Sequence, residues 1–296
     1  MTTINIMATR HSAFYSPLLA TIAAGFLKEQ GLEPTYAVAT PQKSVQAGIR
    51  DGSVHLGQSA VSSSWGPLER GDTPDFVHFA QINERDGFFI ASRVPDPDFH
   101  WSKLVGKQVL VDHAGQPLAM FKYAVHKMGG NYSALDAIDA GSVTEIDKAF
   151  REGRGDYVHQ QGPAPQQLEN DGVGHVVASV GEAIGPVAFS SLVSSREWLE
   201  TDMALAFMRA YRNARRYVNE TPPEQIAKAE AGFFEGIDHG VLASTITFYQ
   251  KLGCWNPDPR ITRDAYEVAL DVFLHSERIT QRHPYEAVVA SPPDDA

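Results

Sequence analysis

The chain has 296 residues, 43% hydrophobic and 21% charged, with a formal net charge of −11. That length allows two lobes of ordinary domain size and a large shared core, and the composition is that of a globular chain. An acidic balance without any basic run argues against nucleic acid as a partner, and a single cysteine, Cys254, excludes an internal disulfide and any multi-cysteine zinc or iron–sulfur site.

In chain order, the apolar run Ile4–Met7 predicts a strand, and Thr9, Arg10, His11 and Ser12 a polar loop. Leu18, Leu19, Ile22, Ala23, Phe26 and Leu27 recur at helical spacing, with Gly31 as the stop and a β-prone run over 35–39 beyond it. This is a βαβ unit, in which ligands sit past the carboxyl ends of the strands, where Arg10, His11 and Ser12 fall. A short helix is expected over 41–50, a buried strand over 54–57, and then a small, polar exit at Gln58, Ser59, Ala60 and 62–64. That exit reads either as a loop open to a ligand or as a serine-rich cap for a helix over 65–70.

Residues 76–81 and 87–93 read as two more strands, and the Pro95-Asp96-Pro97-Asp98 break places the first crossover between lobes near residue 94. The pattern then repeats: strands over 108–112, 135–139, 156–159 and 173–180, alternating with helices over 118–128, 143–152 and 163–171. The chain returns near Pro186, the run 187–195 supplies a strand, and everything from Asp202 reads as helices with apolar faces. The polar tail SPPDDA is expected to be disordered. No run of about 18 apolar residues is present, so the chain is not expected to span a membrane.

Three histidines, His11, His113 and His159, fall at strand exits of both halves and are expected to converge at a cleft, where an unperturbed pKa of about 6.5 suits hydrogen bonding or proton transfer. They lack metal-ligand spacing, so no metal is expected, and no phosphate or GxSxG motif calls for a nucleotide, another cofactor or a hydrolase mechanism. Arg10, ahead of a helix, either pairs with an anion or lies on Tyr15 as a surface residue; Phe14 and Tyr15 either stack on a flat ligand or belong to the core.

The stretch FYSPLLATIAAGFLKEQGLEPT (14–35) and AGIRDGSVHLGQSAVS (47–62), with looser likeness at WSKLVGKQVLVD (101–112) and FREGRGDYVHQQGPAP (150–165), resembles the NMT1/THI5-like substrate-binding proteins of nitrate, sulfonate, taurine and thiamin-precursor uptake. The resemblance implies a two-lobed α/β fold of the type II periplasmic-binding-protein kind, with C-terminal helices on the first lobe. Residues 1–93 and 186–296 would form lobe I, 94–185 lobe II, and the ligand would lie between them. The expected ligand contacts are Arg10, His11, Ser12, Tyr15, Gln58, Ser59, His113, Gln116, His159 and Gln160.

The function so implied is binding of a small polar molecule, anionic or heteroaromatic, for an ABC permease. The alternative is a cytosolic lyase or hydrolase on the same fold that uses His11, His113 and His159. The cysteine-rich motif of the pyrimidine synthases and the first-loop cysteine of the desulfinases are both missing, the latter replaced by Ser12. With Met1 as the native start nothing reads as an export signal and the cytoplasm is expected; a removed signal would place the protein in the periplasm. Replacing Arg10 and His11 with alanine is expected to weaken binding without lowering thermal stability by more than a few degrees, and binding is expected to vary with pH between about 5.5 and 7.5 if any of the three histidines must be in one charge state.

Overall fold

The computed structural model describes residues 1–294. Ten strands form among them: β1 (Thr2–Ala8), β2 (Leu32–Val38), β3 (Leu56–Ser59), β4 (Val77–Asn83), β5 (Phe88–Ser92), β6 (Gln108–Val111), β7 (Asp136–Ile138), β8 (Tyr157–Gln161), β9 (His175–Ser179) and β10 (Ser190–Ser194). They make two five-stranded sheets, in the orders β2-β1-β3-β10-β4 and β7-β6-β8-β5-β9. In the first, β1 pairs parallel with β2 and β3, while β10 is antiparallel to β3 and β4. The second repeats this arrangement: β6 pairs parallel with β7 and β8, and β5 is antiparallel to β8 and β9. Each sheet therefore takes its antiparallel inner strand from a crossover.

This pairing moves the first boundary. Residues 87–93 were expected in the first lobe, but β5 sits between β8 and β9, so the chain crosses over residues 84–87 and not near Pro95. All five β5 side chains are buried, and such a run fits the interior of either sheet equally well. The return crossover lies between β9 and β10, around the expected Pro186.

The first helix is also broken. It runs Ser16–Ala23 with Pro17 in its opening turn, stops at Gly25 (φ 82°), and resumes as Phe26–Glu29; Gly31 (φ 75°) closes it in the left-handed conformation the sequence suggested. Leu18, Leu19 and Leu27 are fully buried in the core. In the other half, helix Gly115–Lys127 buries Leu118, Ala119, Phe121, Ala124 and Val125.

Helix Asp202–Glu220 packs on Ser16–Ala23, and Pro223–Glu230 does the same. Two further C-terminal helices, His239–Leu252 and Arg263–His275, also reach the second half, touching helices Ala164–Asn170 and Gly115–Lys127 respectively. The tail departs from expectation over 291–294. Ala290 N–H donates to the His78 carbonyl at 2.9 Å, and Arg212 bonds the Pro293 carbonyl and pairs with Asp294. Residues 295 and 296 lie outside the described residues.

Candidate functional site

The exits of β1, β3, β6 and β8 face one another, because parallel strands of both sheets point their carboxyl ends toward the junction. Between them lies a cavity of about 340 Å³, lined from the first half by Thr9, Arg10, Tyr15, Gln58, Ser59, Ala60, Ser62 and Ser63, and from the second by Phe88, 114–117 and Gln161. Phe189 and Ser190 enter from the return crossover, and Phe273 from a C-terminal helix. A second cavity of about 310 Å³ shares Arg10 and Gln161 with the first and is walled by His11, Ser12, Gln160, Phe233, Phe234 and their neighbours.

Local folding explains the placement. Ser12 ends the β1 loop as a helix cap: its Oγ accepts from the Phe14 N–H at 3.1 Å and donates to the Gly162 carbonyl of the second half at 2.6 Å. The Gln58 amide, buried at the end of β3, accepts from Thr9 N–H at 3.0 Å and donates to Ser190 Oγ at 2.8 Å, which fixes the loop that carries Arg10. Ser62 and Ser63 lie on a 3₁₀ turn, Val61–Ser64, leading into helix Trp65–Glu69, and line the cavity; no serine side chain caps that helix, so of the two readings the ligand-facing loop holds and the cap does not. Ser62 Oγ donates to Gln116 Oε1 at 2.8 Å, and Gln116 Nε2 donates to the Phe189 carbonyl at 2.7 Å.

Arg10 reaches across the junction and meets Asp112 at 2.6 Å. Burial works to raise the Asp112 pKa, but the hydrogen bond and charge of Arg10 outweigh it and hold the carboxyl below its ordinary range. Arg10 is raised in turn, its burial outweighed by Asp112. Asp86, on the first crossover, is fully buried, and burial pushes it up to about 8 against the opposing hydrogen bond from Phe88 N–H. Burial also raises the Tyr15 phenol.

The three histidines do not converge. His11 lines the second cavity, with Nδ1 bonded to Tyr36 Oη at 3.1 Å and Nε2 to the Phe233 carbonyl at 2.7 Å, and burial lowers its pKa. His113 turns back on its own loop, Nδ1 donating to the Val111 carbonyl at 2.7 Å, and lines neither cavity. His159 lies fully buried between the rings of Phe88 and Phe121, each 4.7 Å from it, with neither nitrogen in a hydrogen bond; burial pushes it down to about 3. The strand-exit argument placed His159 correctly in sequence but assigned the wrong face. β8 directs Gln160 to the second cavity and Gln161 to both.

The sequence reading missed Phe88, Asp112, Gln161, Phe189 and Ser190. Asp112 and Gln161 carry the strand-exit signal used for their neighbours, whereas Phe88 and Ser190 open the antiparallel crossover strands β5 and β10 and Phe189 immediately precedes β10, positions that rule does not cover. Among the described residues no group of three or more His, Cys, Asp or Glu is placed to hold a metal ion, and no helix is long and apolar enough to cross a membrane.

The chain is 26% identical over 293 residues, 98% of its length and 88% of the relative's, to a Bacillus subtilis (strain 168) protein named "Putative binding protein YtlA". Its fold is similar to that of the alkanesulfonate-binding protein SsuA from Xanthomonas axonopodis pv. citri bound to MOPS (TM-score 0.73, 16% identity, 98% and 99% of the two chains). It is also similar to that of the desulfurization enzyme DSZB (TM-score 0.68, 13% identity, 98% and 97%). The NMT1/THI5 like family matches residues 13–225, and with a two-sheet fold built around a cleft, the chain belongs to that family.

Proposed function

We propose that this is a solute-binding protein, which closes two lobes on a small polar molecule, anionic or heteroaromatic, and hands it to an ABC-type permease. The observation that carries the reading is the main cavity itself. It is lined from both halves by hydroxyls and amides (Ser59, Ser62, Ser63, Gln58, Gln116) set against aromatic walls (Phe88, Phe189, Tyr15), the makeup of a recognition pocket. The similarity to "Putative binding protein YtlA" and to the alkanesulfonate-binding protein SsuA supports it. Delivery to a permease of this kind would call for a location outside the cytoplasmic membrane.

DSZB keeps an enzymatic reading in view, yet the groups expected to act here are otherwise engaged. Both His11 nitrogens are bonded, His113 Nδ1 donates to the Val111 carbonyl, and His159 is fully buried and lines neither cavity. The test is mass spectrometry of the protein after incubation with a pool of sulfonates, carboxylates, pyrimidines and aromatic acids. One compound retained intact at one-to-one stoichiometry is expected. A compound released with altered mass would replace binding with catalysis.

A further inference from the structure

Arg10 is the one charged side chain among the described residues that line the main cavity, and its charge is already matched. The guanidinium meets Asp112 Oδ2 at 2.6 Å, while Asp112 Oδ1 accepts from the Ala114 N–H at 2.9 Å, so both carboxylate oxygens are committed and the side chain is 6% exposed. The nearby Asp86 stays protonated at neutral pH and adds no charge. Arg10 comes from the loop after β1 and Asp112 from the loop after β6, the equivalent strand of the other sheet. The ion pair thus forms as the two halves meet.

We propose that Asp112 is a specificity-determining residue: by pairing with Arg10 it withholds the cleft's cation from anionic ligands, so the cleft selects molecules without net negative charge. The inference rests on the binding-protein reading and narrows its ligand class. A second anion at Arg10 would have to break the pair or share the guanidinium with a carboxylate in a half-buried site, where like charges repel strongly. An uncharged ligand meets no such obstacle, and the surrounding serines and amides offer it both donors and acceptors.

The probe is inorganic sulfate, and the variant is Asp112→Asn, which keeps an acceptor for the Ala114 N–H. Asp112→Ser serves as the second variant should the first fail to fold. Binding is read by calorimetry and by melting in sulfate against chloride at equal ionic strength. Wild type is expected to show no sulfate-specific shift, the variant to bind sulfate saturably and at least tenfold more tightly, and the Arg10→Gln/Asp112→Asn double variant to lose the gain. Saturable, Arg10-dependent binding to wild type as tight as to the variant would overturn the proposal, since Arg10 would be available despite Asp112. Absence of binding to every variant would overturn it equally, because a freed Arg10 would then make no anion site. Neither result depends on finding the natural ligand, so failure here is separable from failure of the binding-protein reading.

Discussion

His159 and Asp86 are buried ionisable groups that couple stability to pH in opposite directions. In the folded chain His159 titrates at about 3, against about 6.5 when unfolded. Its contribution is therefore fully present above pH 6.5 and is lost as the pH falls toward 3, because the unfolded chain takes up the proton first. Replacing His159 with Phe, which suits a slot between Phe88 and Phe121, should reduce the acid-side slope of stability by up to about 1.4 kcal/mol per pH unit in urea titrations. His78, also buried and pushed to about 3, will keep a second slope of the same sign. Asp86 runs the other way: held protonated up to about 8, it costs stability as pH rises from 3.8 to 8. Asp86→Asn, which can still accept from Phe88 N–H, should gain more in melting temperature at pH 8 than at pH 5.

At the same scale, Arg10→Ala will not behave as the loop position suggested. Removing it strands a nearly buried Asp112, and a loss of about 1–3 kcal/mol is expected by chemical denaturation, discounted because Arg10 is itself partly exposed. The expected pH dependence of binding between 5.5 and 7.5 also changes. His159, down at about 3 and lining neither cavity, contributes no change of charge over that range, and burial moves His11 toward the acid side of it, so any dependence left by His11 is expected to weaken toward the upper end.

Among the elements, the βαβ repeats were legible because apolar runs and 3.6-residue periodicity are local properties. Ser44 and Ser142 cap their helices, the latter in a capping box with Glu145, as local sequence dictates. Sheet membership is not local. FFIAS says "buried strand" and nothing about which sheet buries it, so prolines 95 and 97 drew the boundary several residues too late. Arg215, fully buried, illustrates the same limit. Its guanidinium bonds the carbonyls of Gln81, Ile82 and Asn256, joining helix Asp202–Glu220 to the end of β4, a role no sequence pattern announces. The two crossovers meet closely at Gly181, where an added Cβ would strike the Asp86 carbonyl oxygen. Gly181→Ala should cost about 1–3 kcal/mol and lower the melting temperature, since backbone cannot step aside as a side chain can.

For the whole molecule, bilobal organisation followed from the repeated pattern, but the contacts that join the halves did not, because each unites residues far apart in sequence. Arg10 with Asp112, Ser12 with Gly162, and Ser62 with Gln116 cross the cleft, while the Tyr249 hydroxyl accepts from Gly162 N–H and donates to the Gly87 carbonyl. Removing two of these at once with Ser12→Ala and Gln116→Ala should favour a more open form, visible as a larger radius of gyration in small-angle scattering and as weaker ligand retention. Helix Arg263–His275 adds a further tie, with His275 stacked on His126 of helix Gly115–Lys127 at 4.3 Å. With so many ties spanning the cleft, escape of a bound solute is expected to be timed by their parting. Solutes of quite different affinity would then share nearly one residence time and differ in how often an encounter ends in capture, the reverse of the usual pattern in which affinity is written in the off-rate.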